Sequence, residues 1–576
     1  MLRMKGVKRM RWSTRQSFPW LFLGLVVLHI VVAWLEVTYG QSRRPRIRGT
    51  NPRYRQGDWI SYTVNRYVTS VAVGNEFVYF GTTGGITRYN LYTNRWDYPF
   101  TTSNGLADNF VTAVAYDTDT GMLWCATTQG ISYYHPTAEK WSNLFKDEIG
   151  IPRFDDVVSI GIGENRIYFE TRGGRMFEGL PTGSSIRLST DSLPDHAPGI
   201  RWFGERATRH QRLPLFYMND GYFFLPEGYI QDFRLRRAEI SALASDDWGF
   251  MWLGSWGFGA LKGELRTEEL ELLPFGLYSR HVNALALDRN GLWIGGLNRG
   301  LDRSGITYWD QVRGRWRYFE SRFISQLLTD EINRLVVAGD SLFCATRFGL
   351  SIYDMAHDRW SKFTLFDGLV KDNVNDVLVE DGFAWVATDG GLNLIKLQPA
   401  PQDSDRVVEV AADDLHMRRI FDIERAGRYL WAATEFGVYR FDIERQIGAF
   451  VNEVNSPGGR MVTCIARYRN ELWFGSTRSI NVYNLDTRQW LGAPEKNIFL
   501  PGPVRAIAAD SVSVWAGTDA GVLKYNRKTR DWRRFTVEDG LIDNQVNVIL
   551  IDGDYVWFGT SEGLTLFYWN DPNRID

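Results

Sequence analysis

Short runs of alternating apolar and polar residues, separated by glycine-rich turns, fill the chain from about residue 57 onward. One phrase recurs: an apolar residue, an aromatic residue, any residue, a glycine or alanine and usually a threonine or serine, then a glycine turn and a second apolar run. Side chains alternate between the two faces of a strand, so this pattern predicts paired strands joined by tight hairpins. No ten-residue helical periodicity separates the runs, which excludes a parallel sheet covered by helices.

The phrase occurs twelve times, at intervals of about 42 residues. Clear copies are VYFGTTGGITRYN (78–90), LWCATTQGISYYH (123–135), MWLGSWGFGALKG (251–263), AWVATDGGLNLIK (384–396) and VWFGTSEGLTLFY (556–568). A run of the form V-x-A-V/I-A precedes many copies and supplies another strand, so each repeat holds four strands, as a β-propeller blade does. Each aromatic residue needs space on the next blade, which the glycine or alanine provides.

The two halves of the chain repeat each other. Gly105-Leu106 and Gly368-Leu369 are offset by 263 residues, and Gly276-Leu277 and Gly540-Leu541 by 264. Propellers typically have about four to eight blades. We therefore predict an all-β fold of two six-bladed β-propellers in tandem, with twelve four-stranded blades, over 57–312 and 313–576.

Each predicted half begins with a lone outer strand, GDWISYTV (57–64) and GRWRYFE (314–320). We expect the Trp59 strand to complete repeat 6 beside residues 305–309, and the Trp316 strand to complete repeat 12 beside residues 563–568. The alternative pairs the Trp59 strand with repeat 12 and leaves one propeller inserted in the other. Either closure protects strand edges that invite aggregation.

The N-terminal forty residues have the features of an export signal. A basic stretch without acidic residues is followed by an apolar run from Phe18 to Leu35, and small residues precede Gln41. Residues 1–40 are therefore predicted to be a signal peptide, cleaved before Gln41, or a retained signal anchor in the membrane. Residues 41–56 are predicted to be a linker. In both cases the remainder lies outside the cytoplasm, in the periplasm or the extracellular space.

Composition narrows the function classes. The net charge is −2, so nothing indicates a nucleic-acid partner. Cys125, Cys344 and Cys464 lie in apolar strand-like runs, and no CxxC occurs, which favours buried thiols over a metal or redox pair. The histidines are scattered without HxH or HxxxH spacing. We expect neither a metal site nor a cofactor.

The segments NGLADNFVTAVAYDTDTGMLWCATTQGISYY (104–134), DGLVKDNVNDVLVEDGFAWVATDGGLNLI (367–395) and DGLIDNQVNVILIDGDYVWFGTSEGLTLF (539–567) resemble the two-component regulator propeller repeat. The resemblance implies an extracytoplasmic sensor domain, and many such domains bind oligosaccharides. The repeats also resemble propellers in accessory proteins of bacterial secretion systems. No Ig-like domain, second membrane span or histidine kinase follows the last repeat in this sequence, so we expect any output to pass through a partner.

Irregular segments of the first half are the candidate binding surface, because binding residues concentrate in irregular loops on a rigid scaffold. These segments are Glu170 in place of a small residue, the arginine-rich stretch 198–214, Ser255–Phe258 and the insertion Asn298–Ser304. The predicted ligand-binding residues are Arg172, Trp202, Arg206, Trp256 and Arg299. Arginines pair with acidic groups, and tryptophans stack on rings. Acidic and amide residues in the G-L-x-x-[DN]-N loops are interpreted as turn residues.

The sequence thus predicts an exported double propeller that binds a glycan ligand or a protein partner. Two alternatives stay open: a polysaccharide lyase or hydrolase with its site in a propeller funnel, and a structural or secretion-accessory scaffold of the cell envelope. Acids, tyrosine and histidine converging in one funnel would favour the enzyme.

Overall fold

A computed structural model describes residues 46–189, 199–209, 212–297, 303–398, 406–410, 412, 414–492 and 500–574. The predicted signal or anchor segment 1–40 and the candidate Arg299 lie outside these residues. Ile47–Asp576 forms one compact unit, whose described residues make up the fold below. Within the described ranges, no helix has both the length and the hydropathy to span a membrane.

The fold is almost entirely made of strands. Two four-residue helices occur in the described part of the chain, α1 (Lys146–Ile149) and α2 (Glu205–Thr208). The strands of the first part are β1 (Trp59–Tyr62), β2 (Val68–Val73), β3 (Phe77–Thr82), β4 (Gly85–Asn90), β5 (Arg95–Phe100), β6 (Val111–Tyr116), β7 (Leu123–Thr127), β8 (Gly130–His135), β9 (Lys140–Phe145), β10 (Val157–Gly163), β11 (Ile167–Thr171), β12 (Met176–Gly179), β13 (Arg187–Leu188), β14 (Ile200–Gly204), β15 (Tyr217–Met218), β16 (Tyr222–Leu225), β17 (Tyr229–Asp232), β18 (Arg237–Ser245), β19 (Phe250–Ser255), β20 (Gly259–Glu264) and β21 (Glu269–Leu273).

The strands that follow are β22 (His281–Leu287), β23 (Gly291–Leu297), β24 (Ile306–Asp310), β25 (Arg315–Phe319), β26 (Ile332–Ala338), β27 (Ser341–Thr346), β28 (Gly349–Asp354), β29 (Arg359–Phe363), β30 (Val374–Glu380), β31 (Phe383–Thr388), β32 (Gly391–Lys396), β33 (Val407–Glu409), β34 (Ile420–Ala426), β35 (Tyr429–Thr434), β36 (Gly437–Asp442), β37 (Ile447–Phe450), β38 (Val462–Tyr468), β39 (Glu471–Ser476), β40 (Ile480–Asn484), β41 (Gln489–Gly492), β42 (Val504–Ala509), β43 (Ser513–Thr518), β44 (Gly521–Asn526), β45 (Trp532–Phe535), β46 (Val546–Asp552), β47 (Tyr555–Thr560) and β48 (Leu564–Tyr568).

These strands form eleven sheets within the described residues, nine of which have four antiparallel strands. The all-β class and the four-stranded blade repeat are therefore confirmed. The larger sheets have the orders β13-β12-β11-β10-β14 and β15-β21-β20-β19-β18-β17-β16. The least regular of the twelve predicted copies of the phrase, LFYMNDGYFFL from Leu215, therefore adds strands to the sheet of the next copy instead of forming its own sheet. Cys125, Cys344 and Cys464 are buried free thiols, as predicted.

The pairing of β1 corrects the predicted strand exchange. Trp59 lies opposite Phe567 and Ser61 opposite Thr565, so β1 completes the last repeat. The expected pairing of Trp59 with residues 305–309 is wrong, because Trp316 in β25 pairs with Trp309 of its own repeat. The Trp59 ring stacks on Phe567 at 3.8 Å between centroids, in the core shared by the last two repeats.

Contacts between sheets differ from the predicted division into six and six. Strand β22 contacts both β26 and β46, and further contacts link β26, β30, β34, β38, β42 and β46 in succession. The seven sheets from β22 to β48, with β1, follow one another in a closed circuit, which we call the second group. The predicted boundary at 312/313 falls in the turn between β24 and β25 of one sheet.

The remaining four sheets, over β2 to β21, form the first group, which is inserted between β1 and β22. Strand β2 contacts β6 and β18, and β6 contacts β10. Strand β14 pairs with β10 and also contacts β2 and β6, so it lies among three sheets. This insertion is the alternative arrangement that the sequence left open.

Side chains on the inner strands bond neighbouring sheets together. In the second group, the side-chain amide of Asn333 donates to Val374 O at 2.7 Å, and that of Asn375 to Ile420 O at 2.8 Å. Asn547 donates to Val282 O at 3.1 Å and joins the last sheet to the first of the circuit. In the first group, backbone carbonyls of the next sheet accept hydrogen bonds from the hydroxyls of Thr69, Thr112 and Ser241. We call these bonds inter-sheet clamps.

Candidate functional site

Several irregular segments meet at one end of the strands of the first group, where the second and third strands of each sheet are joined. Trp256 lies in the β19–β20 hairpin, is 47% exposed, and packs against Tyr67 with 5.2 Å between ring centroids. Its backbone N–H donates to Glu239 O at 2.8 Å. The hairpin therefore holds an indole ring on the rim in a fixed position.

Arg303 and Ser304 are the described residues of the insertion Asn298–Ser304, which connects β23 and β24. Arg303 donates from Nη1 to Gly257 O of the Trp256 hairpin at 3.1 Å, and its guanidinium lies 5.0 Å from the centroid of Phe258. Two segments that the sequence marked as irregular thus pack on each other. We call Tyr67, Trp256, Phe258 and Arg303 the Trp256 rim.

Arg172 lies in the turn between β11 and β12, at the same end of its strands. Its side chain is 70% exposed and forms an ion pair with Glu205 of α2 at 3.3 Å. Helix α2 contacts β18, whose residue Glu239 bonds the Trp256 backbone. A short chain of contacts therefore connects Arg172 to the Trp256 rim.

Arg206 is buried and Trp202 is partly buried, whereas a ligand-binding surface needs exposed side chains. Arg206 is 5% exposed, and its guanidinium stacks 4.2 Å from the partly buried Trp202 ring. That ring packs directly on Gly161, where a Cβ would come within 2.8 Å of it. This pair therefore packs around β14. The sequence of this stretch shows arginines and aromatic residues but does not show that these two side chains are buried.

A cluster of charged residues on the inner strands of the second group was not predicted. Arg334 forms an ion pair with Asp376 at 3.3 Å. Burial raises the pKa of the neighbouring Asp422 well above its usual range. Burial also raises the pKa of Glu424 to about 7. Asp376 accepts the Ile423 N–H at 2.9 Å, and Asp422 accepts the Ile465 N–H at 2.7 Å. Both aspartates therefore act as inter-sheet clamps.

The polar residues of the G-L-x-x-[DN]-N loops are turn residues, as interpreted. Asn109 accepts the Thr102 N–H at 2.8 Å, Asp372 accepts the Leu365 N–H at 2.6 Å, and Asn544 accepts the Val537 N–H at 3.0 Å. Across the part of the chain that the structure describes, no three His, Cys, Asp or Glu side chains are grouped as metal ligands.

Comparisons with known proteins find solved structures of low similarity. No protein-family model matches it, and no curated protein matches it. The extracellular domain of the putative hybrid two-component system BT3049 from B. thetaiotaomicron is 16% identical, with 86% of this chain and 74% of that chain covered and a TM-score of 0.43. The corresponding domain of BT4673 is 15% identical, with coverages of 87% and 70% and a TM-score of 0.42.

A third similar structure is PorZ, a surface component of the type-IX secretion system of Porphyromonas gingivalis. It is 14% identical, with 89% of this chain and 87% of that chain covered and a TM-score of 0.34.

Proposed function

We propose that the protein is a binding module that acts outside the cytoplasm and holds a glycan or a protein surface on the Trp256 rim. The observation that carries this proposal is the convergence of irregular segments there. An exposed tryptophan, backed by Tyr67 and flanked by Arg303, stands on a scaffold of hydrogen-bonded strands. Aromatic and arginine side chains in such fixed positions dominate many binding energies.

The chemistry of the rim suits a ligand with an apolar face and acidic groups. An indole presents a flat apolar surface to a sugar ring or an aliphatic side chain. The exposed Arg172 already holds Glu205, so its guanidinium is oriented to bond a second carboxylate on a ligand. Surface placement keeps the cost of breaking or sharing this pair low.

The support for binding over catalysis comes from the charged cluster of the second group. Its aspartates accept backbone N–H groups of the neighbouring strand, so they are committed to holding sheets together. A lyase or hydrolase needs acid and base groups directed at a substrate. The envelope-scaffold alternative shares the binding surface and differs in having a protein partner only.

The test compares Trp256→Ala/Arg172→Ala with wild type for retention of polysaccharide and membrane-protein fractions from the producing cells. A matched control is Tyr555→Ala/Arg266→Ala, which removes an exposed aromatic and an exposed arginine elsewhere. We expect binding to weaken about tenfold or more in the first variant only, with little change in melting temperature because both side chains are exposed. Equal binding by all three proteins, or unfolding of the first variant, refutes this site.

A further inference from the structure

A cleft between the first and last sheets of the first group lies at the end of the strands opposite the Trp256 rim. It has a volume of about 210 Å³ and is lined by Leu91, Tyr92, Trp248, Phe250, Trp252 and Lys262. We call it the aromatic cleft. Tyr92 is 71% exposed and Trp248 is 59% exposed, which is unusual for residues with so much apolar surface.

Turn geometry does not require an aromatic residue at either position. Tyr92 occupies a turn position where other repeats have Thr137, Ala356, Asp486 or Lys528. The N–H of Trp248 bonds Asp246, as the N–H of Asp119, Asn290 or Val512 bonds the aspartate two residues earlier. The turns are thus built by the aspartate or asparagine. The Tyr92 hydroxyl donates to Asn75 O at 3.1 Å, which holds its ring beside the cleft.

Lys262 places a positive charge in the lining of the cleft. Its ammonium lies 4.2 Å from the centroid of Phe250 and 5.4 Å from that of Trp252, and it donates to the amide oxygen of Asn94 at 3.0 Å. An ammonium held against aromatic faces attracts a further ring placed on its open side.

The same arrangement recurs between the last two sheets of the second group, where it is filled. Lys524 has the repeat position of Lys262, and its ammonium lies 5.1 Å from Trp515, the equivalent of Trp252. A second indole, Trp569, covers it at 4.6 Å. Both Lys524 and Trp569 are buried. In the first sheet of the first group, Leu91 directly follows β4 and so occupies the repeat position that Trp569 has after β48.

The smaller Leu91 side chain therefore leaves open the space that an indole fills in the related pair of sheets. We propose that the aromatic cleft receives an aromatic side chain of a partner protein, which stacks over Lys262 between Tyr92 and Trp248. The cleft volume of about 210 Å³ is smaller than the roughly 300–1,000 Å³ of pockets for drug-sized ligands, so it suits a single aromatic side chain. This surface is separate from the Trp256 rim and does not depend on the function proposed for it.

The experiment uses N-acetyl-tryptophanamide as the probe and N-acetyl-leucinamide as its control, with binding followed by saturation-transfer NMR on the full chain. Wild type should bind the tryptophan probe saturably and in preference to the leucine probe. Leu91→Trp fills the cleft in the way Trp569 does, and should weaken probe binding about tenfold or more. Lys262→Met keeps the side-chain length but removes the charge, and should weaken it about two- to fivefold.

Trp256→Ala should leave probe binding unchanged, which separates this inference from the proposed function. The inference is overturned if Leu91→Trp binds the probe as wild type does, or if wild type shows no preference for tryptophan. Loss of probe binding in Trp256→Ala with retention in Leu91→Trp would place the probe on the Trp256 rim and also overturn it. Circular dichroism of each variant verifies folding, and Lys262→Met serves alone if Leu91→Trp does not fold.

Discussion

At the scale of single residues, polar side chains on the inner strands do structural work that apolar patterning hides. Asn283, Asn333, Asn375 and Asn547 each donate to the backbone of the next sheet. A buried carbonyl left without its donor costs about 1–3 kcal/mol, so these bonds specify which sheets are neighbours. The charged cluster around Asp376 and Asp422 belongs to the same system.

Glu424 makes the stability of the second group dependent on pH. Burial is the main cause of its raised pKa, about 7; Asp376 and Glu380 raise it further, whereas Arg467 and Arg334 lower it. Because the folded-state pKa exceeds the unfolded one, the stabilising contribution is complete below about pH 4.5 and is lost as the pH rises through about 7.

Glu424→Gln should therefore be more stable than wild type at pH 8 by about 1–3 kcal/mol, and about equal to it at pH 4.5. Denaturant unfolding of both proteins at the two pH values measures the difference. Glu444→Gln, in a surface turn, is the control and should shift neither value. A constant difference between Glu424→Gln and wild type at both pH values would contradict the assigned cause.

At the scale of elements, the strands and blades could be predicted because period-two alternation and glycine turns are local signals. Strand exchange could not, since GDWISYTV and GRWRYFE have the same pattern and either could complete a blade. The choice depends on shape: Trp59 packs against Phe567 and closely approaches Gly540, a contact between residues far apart in sequence. Similarly, the burial of Arg206 depends on packing around β14, which the blade repeat does not encode.

A cysteine pair tests the closure directly. Ser61 and Thr565 are cross-strand partners with 2.8 Å between their hydroxyl oxygens, so Ser61→Cys/Thr565→Cys should form a disulfide on oxidation. The bond would join the two ends of the described chain and change its migration on a non-reducing gel. Ser61→Cys/Thr307→Cys, which represents the other closure, should stay reduced. Disulfide formation in that control variant alone would refute the observed pairing.

At the scale of the whole molecule, the insertion gives the two groups of sheets different roles. The second group is closed by β1 and β48, whereas the first group holds most of the irregular segments; the insertion that contains Arg303 belongs to the second group. Between them lies a network in which Arg234 and Arg236 both bond Glu320 at 2.9 Å, and Arg236 also bonds Tyr278 at 3.1 Å. The Trp256 rim therefore lies where the two groups meet, since Arg303 of the second group bonds Gly257 of the first, whereas the aromatic cleft lies within the first group.

The most direct test of the Trp256 rim is site-specific photocrosslinking in the producing cells. A photoreactive phenylalanine analogue at position 256 should give discrete adducts with a glycan or protein, and Arg172→Ala should reduce their yield. The same analogue at Tyr555, also exposed, should give no comparable adduct. Adducts from position 555 together with none from position 256 would contradict the account.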